Sequence, residues 1–253
     1  MHILLVNDDG FDSPLLHTLC KAAAGYGHKV TVAAPDCQQS AKSHAFTIFD
    51  PLQVRQDYME GAANAYRVLG TPVDSCRLGL MALADSPVDL VISGINNGYN
   101  VGLATFVSGT VGAAREAAFQ GYPSVAVSQA VVCSEETTAY FADVCIRMGH
   151  RWAKWDRAPL SFLNVNVPAL TPKEIKCLKL CGLSQNVYRD GYEGRISPRG
   201  VQYYWLRPEE EGEPTPGSDL DVLRQGMISI SMLTPGGTGT GMTAVEFDQM
   251  MTK

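Results

Sequence analysis

The sequence predicts an α/β fold, a doubly wound and mostly parallel sheet with a β-rich C-terminal extension. Three observations carry that reading. Residues 3–6 (ILLV) are a short continuous apolar run, as a strand buried on both faces requires, and 88–93 (VDLVIS) reads as a further strand. Helical periodicity follows such runs repeatedly, up to about residue 170. Beyond it the alternation fails, and strand patterns separated by charged or Gly/Pro-rich loops take over.

The first 35 residues form one β-α-β unit. The run 3–6 ends in Asn7-Asp8-Asp9-Gly10; Ser13-Pro14 then reads as a cap and first-turn proline. Leu15, Leu16, Leu19, Cys20 and Ala23 recur at helical spacing until Gly25 and Gly27, and 29–34 (KVTVAA) is a strand closed by Pro35. A right-handed crossover between the two strands implies parallel pairing. The pattern repeats. Thr71-Pro72 opens a helix carrying Val73, Cys76, Leu80 and Leu83, and the strand 88–93 ends in a polar segment, 94–102. A small-residue helix over 110–119, a strand over 124–127, an amphipathic helix over 138–153 and a strand over 160–167 complete the core. Strands are expected at 176–183, 202–206 and 227–232 with no helix between them, and 209–213 reads as a solvated loop. One domain over 1–253 is expected, with its α/β core in 1–170 and the extension in 171–253.

Composition excludes several functions. With 253 residues, 45% of them hydrophobic, the chain can build a sizeable core. No stretch approaches the ~20 apolar residues of a membrane span. The start MHILLVNDDG lacks the basic lead, long apolar region and cleavage site of a secretory signal, so a cytoplasmic protein without a membrane partner is expected. A formal charge of -6 argues against a nucleic-acid polymer as partner. Seven Cys without a CxxC pair, and five His without ligand spacing, argue against a thiolate zinc site and a disulfide framework.

In open α/β sheets ligands bind beyond the carboxyl ends of the strands, near the switch in strand order. Three polar segments follow predicted strands there: 7–10, 36–43, and 94–102 running on to Ser108-Gly109-Thr110. Asp8 and Asp9 are the sharpest signal. Neighbours in a strand point to opposite faces, so both carboxylates serve one site only where the chain has left the strand, and Gly10 permits that turn. Two close carboxylates are costly to ionise without a cation; the bland alternative is a solvated Asp-Gly turn. Oxygen donors dominate the other segments, among them Ser40, Asn96, Asn100 and Ser108, and suit a hard cation such as Mg²⁺ or Mn²⁺. Ser108-Gly109-Thr110 opens a helix whose exposed amides can take an anion; ordinary capping is the alternative.

Three resemblances to other chemistries are set aside. Cys145 and Arg151 have cysteine-phosphatase spacing, but Cys145 shares a helical face with Phe141, Met148 and Trp152 and reads as core. Asp219-Leu220-Asp221 imitates a dehalogenase-type motif yet follows Pro-Gly-Ser rather than a strand, so a surface turn is expected. The glycines of 236–241 have too few residues after them for a dinucleotide unit.

Taken together, ILLVNDDG, Ala34-Pro35-Asp36 with Ser40 and Ser43, Gly70-Thr71-Pro72-Val73-Asp74, SGINNGYNVG and SGTVGAAREAA occur in the order seen in the SurE family of metal-dependent 5'/3'-nucleotidases. The chain resembles that family closely over residues 1 to about 128, and in outline beyond. The resemblance implies a Rossmann-like domain and one divalent cation, Mg²⁺ or Mn²⁺, held by Asp8, Asp9, Ser40 and Asn96. It implies a phosphate pocket lined by Asn100, Ser108, Gly109 and Thr110, with Asp8 and Asp9 catalytic. The expected activity is hydrolysis of nucleoside 5'- and 3'-monophosphates, in a homodimer or homotetramer built through an exchanged C-terminal arm. Family members commonly carry an Asp and a His in the C-terminal segment near the site, and 233–241 (LTPGGTGTG) offers neither. A nucleotide-binding regulatory protein with weak turnover is therefore the alternative expectation.

Overall fold

Alternate residues of the first strand face two different helical layers, and that division organises the molecule. The structure, a computed structural model, describes residues 1–185, 190–208, 213–235, 237–238 and 243–252. Strand β1 (His2–Val6) sends Ile3 and Leu5 toward helices α1 (Pro14–Gly25) and α5 (Glu135–Lys154). Its Leu4 and Val6 meet α2 (Pro72–Leu78) and α4 (Gly109–Phe119) on the other face. A strand coated on both faces must be apolar at every position, which is why 3–6 is legible as a run rather than an alternation.

The parallel set runs in the order β4-β2-β1-β5-β6-β7, where β2 is Lys29–Pro35, β4 Asn64–Leu69, β5 Leu90–Asn97, β6 Ser124–Gln129 and β7 Phe162–Val167. Strand β3 (Gln53–Asp57) joins one edge antiparallel to β4. At the other edge β11 (Ile228–Thr234) pairs antiparallel with β7 and with β12 (Gly237–Thr238), and parallel with β8 (Leu178–Leu180). A separate ribbon is formed by β9 (Asp190–Ile196) and β10 (Gln202–Pro208). The sheet is thus doubly wound and mostly parallel with a β-rich extension, as expected. Strand order reverses at β1, which has β2 on one side and β5 on the other. The ends of these three strands carry the three polar segments.

The structure corrects several expectations. Strand β5 does not stop at Ser93. It continues through Asn97 after a register shift against β6 between Ser93 and Asn96, so Asn96 leaves a bulged strand end rather than a loop. The β3–β4 hairpin was not expected because β3 is an edge strand with little apolar pattern and β4 carries a charge held by its surroundings: Arg67 of β4 bonds Asp57 at 2.5 Å and Asp12 at 2.7 Å. The extension also holds helices, α6 (Asp219–Arg224) and α7 (Ala244–Thr252). Asp219 is consequently no surface turn; it is fully buried at the start of α6. The helix opened by Thr71 becomes a π-helical turn at 79–83, where Gly79 packs against Leu4 so tightly that a Cβ would lie 2.7 Å from its side chain. A four-residue helix, α3 (Ala104–Val107), precedes α4. Most of the 209–213 loop and of the 236–241 glycine stretch lies outside the described residues.

Cys145 is fully buried among core side chains, and burial pushes its thiol well up, so it offers no thiolate. No helix among the described residues is long and apolar enough to cross a membrane.

Candidate active site

The chain leaves β1 through a turn that Asn7 closes on itself. Asn7 Nδ2 donates to the Gly10 carbonyl at 2.8 Å, and the Gly10 amide returns to Asn7 Oδ1 at 3.2 Å. Gly10 has φ 99°, and a Cβ there would meet the Cys37 carbonyl carbon at 3.2 Å. This turn frees Asp8 and Asp9 from strand alternation and sends them to separate anchors.

Asp8 is only 4% exposed. Its carboxylate accepts the Thr110 hydroxyl at 2.5 Å and the Thr110 amide at 3.1 Å, at the first turn of α4. Asp9 accepts the Asn97 amide at 3.0 Å, at the end of β5. The 36–43 segment is seated beside them: the Gln39 amide donates to the Asp8 carbonyl at 2.7 Å. Three strand ends therefore meet at the acid pair. Burial pushes the Asp8 carboxyl above the usual carboxylate range; Thr110 pulls it back and the charge of Asp9 pushes it further up. Burial raises Asp9 as well, against the Asn97 amide and the Gln38 side chain, which pull it down.

The donor chemistry fits a hard divalent cation. Two carboxylates that burial makes costly to ionise gain most from a compensating positive charge. Asn96 spends its Nδ2 on the Gly98 carbonyl at 2.7 Å, leaving Oδ1 as the atom it can offer. Among the described residues no three His, Cys, Asp or Glu side chains gather as a metal-binding group. A cation at Asp8 and Asp9 would complete its shell with neutral oxygens. Ser40 is exposed on the segment whose Gln38 and Gln39 touch the acids, and no hydrogen bond joins Ser40 itself to the pair among the described residues.

The start of α4 is more occupied than its sequence suggests. Thr110 gives both donors to Asp8, and Ser108 caps the helix by accepting the Val111 amide at 3.1 Å. The Gly112 amide is satisfied by the Ser108 carbonyl at 3.0 Å. The Gly109 amide, first in the helix, makes no hydrogen bond among the described residues and is the donor left for an anion. A Cβ on Gly109 would stand 3.0 Å from Asp8 Cβ and 3.1 Å from its Oδ2. Gly109→Ala must therefore displace Asp8 or the helix start. We expect kcat/KM to fall about a hundredfold and, from the overpacking, the melting temperature to fall by roughly 2–10 °C, measured by steady-state kinetics and thermal denaturation.

Asn100 is buried and held from all sides. Its amide donates to Asn166 Oδ1 and its Nδ2 to Ser128 Oγ, both at 2.8 Å; its carbonyl accepts from Asn164 Nδ2 at 2.8 Å and Asn166 Nδ2 at 3.2 Å. The 98–108 loop is thus stitched to β6 and β7. Asp219 stitches its far side, accepting the amides of Gly102 and Ser184 at 2.8 Å each and of Leu220 at 2.9 Å. Burial raises the Asp219 carboxyl, which these amides pull back only in part. Ser128, Asn164, Asn166 and the positioning role of Asp219 were not expected from the sequence, although two asparagines inside an apolar strand, Asn164 and Asn166, were a signal for buried polar contacts.

A second anchor holds the 36–47 segment on α4. Buried Glu116 is bonded by Arg77 at 2.6 Å, His44 at 2.9 Å and Gln120 at 2.9 Å, and Arg115 donates to His44 Nδ1 at 3.0 Å. Burial pushes the Glu116 carboxyl up, but these partners outweigh it and leave it below the usual glutamate value. Lys42 is an exposed loop lysine. Beside the acid pair opens a cavity of about 660 Å³, lined in part by Asp9, Asn97, Ser13, Thr18, Gln129 and Thr138.

Sequence and fold both match a known family. The model of "Survival protein SurE" matches residues 3–190. The chain belongs to the SurE family. It is 42% identical over 239 residues to the protein named 5'-nucleotidase SurE of Gloeobacter violaceus, covering 92% of this chain and 89% of that one. The 5'-nucleotidase SurE of Solidesulfovibrio magneticus is 43% identical over 237 residues, covering 92% and 91%. Among solved structures, that of the SurE protein from Aquifex aeolicus superposes with a TM-score of 0.76 at 34% identity, covering 92% of this chain and 93% of that one. The SurE relationship therefore extends well past residue 128, into the extension that resembled the family only in outline.

Proposed function

We propose that this SurE protein is a divalent-metal-dependent phosphomonoesterase acting on nucleoside 5'- and 3'-monophosphates. The observation that carries the reading is the convergence of Asp8 and Asp9, held by Thr110 and Asn97, beside the open Gly109 amide. The curated relatives named 5'-nucleotidase support the substrate class.

Asp8, Asp9, Asn96 and Ser40 are the residues that would hold Mg²⁺ or Mn²⁺. When bound, that cation supplies charge neutralisation for a phosphate dianion and polarisation of a phosphoryl oxygen. The protein groups do the rest. The Gly109 amide binds an equatorial phosphoryl oxygen, and Ser108 and Asn100 keep the loop and helix start where that donor points. Thr110 fixes Asp8, which positions the nucleophile in line with the scissile bond. The cavity beside Asp9 receives the nucleoside. Its volume lies within the range of ligand pockets.

Adenosine monophosphate tests this directly. Phosphate release should require Mn²⁺ or Mg²⁺, stop with excess chelator and return on adding metal. Tight nucleotide binding with no release under saturating metal would favour a regulatory nucleotide-binding protein instead.

We further propose that the chain is one unit over 1–253 whose β9–β10 ribbon is an oligomerisation arm. The ribbon pairs with no other strand among the described residues and exposes Tyr192, Ile196, Tyr204, Trp205 and Leu206. Deleting residues 190–208 should convert a dimer or tetramer into monomer by light scattering; an unchanged mass would remove the arm from the assembly.

A further inference from the structure

Helices α1 and α5 pack along each other, and the cavity beside Asp9 sits between their N-terminal ends. A second cavity, of about 470 Å³, opens at their C-terminal ends and is lined in part by Tyr26, His28, Arg147, His150, Lys154 and Trp155. At 1.5 Å per residue the twelve residues of α1 span roughly 18 Å, which places the two cavities beyond opposite ends of the strands.

The second cavity combines flat rings with positive charge. Tyr26 and His28 lie nearly parallel, 17° apart with centroids at 6.3 Å; His28 and His150 are 19° apart at 5.8 Å. Arg147, Arg151 and Lys154 follow at i, i+4 and i+7 on one face of α5. Arg147 pairs with Asp143 at 2.7 Å and Arg151 donates to the Met251 carbonyl, whereas Lys154 has no ion pair among the described residues. Burial holds His28 and His150 below the usual histidine range, and the charges of Lys154 and Arg151 press His150 further down. The cavity is thus a positive spot on a chain of net charge -6. Favourable placement of cations at a helix C-terminus explains Arg151 and Lys154. It explains neither the parallel rings nor the open space in front of them.

We propose that this cavity is a second, non-catalytic binding site for a nucleoside polyphosphate, with the base against the Tyr26–His28–His150 rings and Trp155, and the phosphates on Lys154 and Arg147. Aromatic stacking and cation–phosphate pairing each contribute binding on their own. The site is independent of the reading of the acid pair, and its test separates the two.

The probe is ATP, titrated calorimetrically into the full chain in excess chelator so that the acid pair lacks its cation. Saturable binding is expected. Lys154→Glu and Trp155→Ala should each weaken it tenfold or more, while manganese-dependent hydrolysis of adenosine monophosphate stays within twofold of wild type. Nuclear magnetic resonance should show the imidazole pKa values of His28 and His150 rising as ATP saturates. Three results overturn the proposal: no saturable ATP binding; ATP binding lost in Asp9→Asn but retained in Lys154→Glu; or inorganic triphosphate binding as tightly as ATP, which would leave the rings without a role.

Discussion

Asp8→Asn and Asp9→Asn are each expected to reduce kcat/KM toward adenosine monophosphate by at least about a thousandfold, equivalent to roughly 4 kcal/mol of transition-state stabilisation. The substitutions are nearly isosteric. In the first variant the new side-chain amide keeps a carbonyl oxygen for the Thr110 backbone amide, and its NH2 turns the Thr110 hydroxyl from donor to acceptor. In the second it keeps one for the Asn97 backbone amide, so the turn and its anchors survive. What each variant loses is one negative charge from a pair that burial already makes costly to ionise. The proposed divalent cation is then held by a single carboxylate and neutral oxygens, and both charge neutralisation and placement of the nucleophile suffer. Because the wild-type pair carries a desolvation and repulsion penalty, melting temperature should hold or rise slightly in the absence of metal. Kinetics over a manganese titration, with thermal denaturation of the same samples, checks the result. Near-wild-type turnover in either variant would sink the assignment.

Asp219→Ala is expected to have the largest effect on stability. One buried carboxylate serves the amides of Gly102, Ser184 and Leu220. Alanine leaves these donors without an acceptor in a place where water does not replace it. An unsatisfied buried donor costs about 1–3 kcal/mol, so a total of roughly 3–5 kcal/mol is expected after partial relaxation. At about 2–4 °C per kcal/mol for a chain of this size, the melting temperature falls by roughly 10 °C. Asp219→Asn keeps one acceptor and should fall between wild type and alanine. Activity measured well below the transition should also drop, because Gly102 belongs to the loop that runs on to the helix start bearing Gly109. A drop in stability with unchanged kcat would confine Asp219 to the packing of α6.

Much of the architecture was legible because its physical cause is local. Strands covered on both faces must be apolar throughout, so β1 and β5 stand out as runs; helices covered on one face show period 3.6, so α1 and α5 stand out as well. The acid pair was legible because a strand-terminal Asp-Asp-Gly has few inexpensive uses. The hairpin of β3 and β4 was not, since β3 is an edge strand that asks little of its residues and Arg67 of β4 answers to Asp12 and Asp57 rather than to a core. Asp219 was misread as a turn for a related reason. Its burial depends on Gly102 and Ser184, which are distant in the chain, and no neighbour in sequence signals them.

The sequence by itself determined the layered α/β class, the family and the cluster of oxygen donors at the strand ends. Only the tertiary structure decided how those donors are shared. It gives Thr110 to Asp8 and the Val111 amide to Ser108, spends Asn100 on β6 and β7, and leaves the Gly109 amide open. The reason is saturation: each donor and acceptor has a limited number of partners, and which partner is within reach is a property of the packed chain rather than of any segment in it.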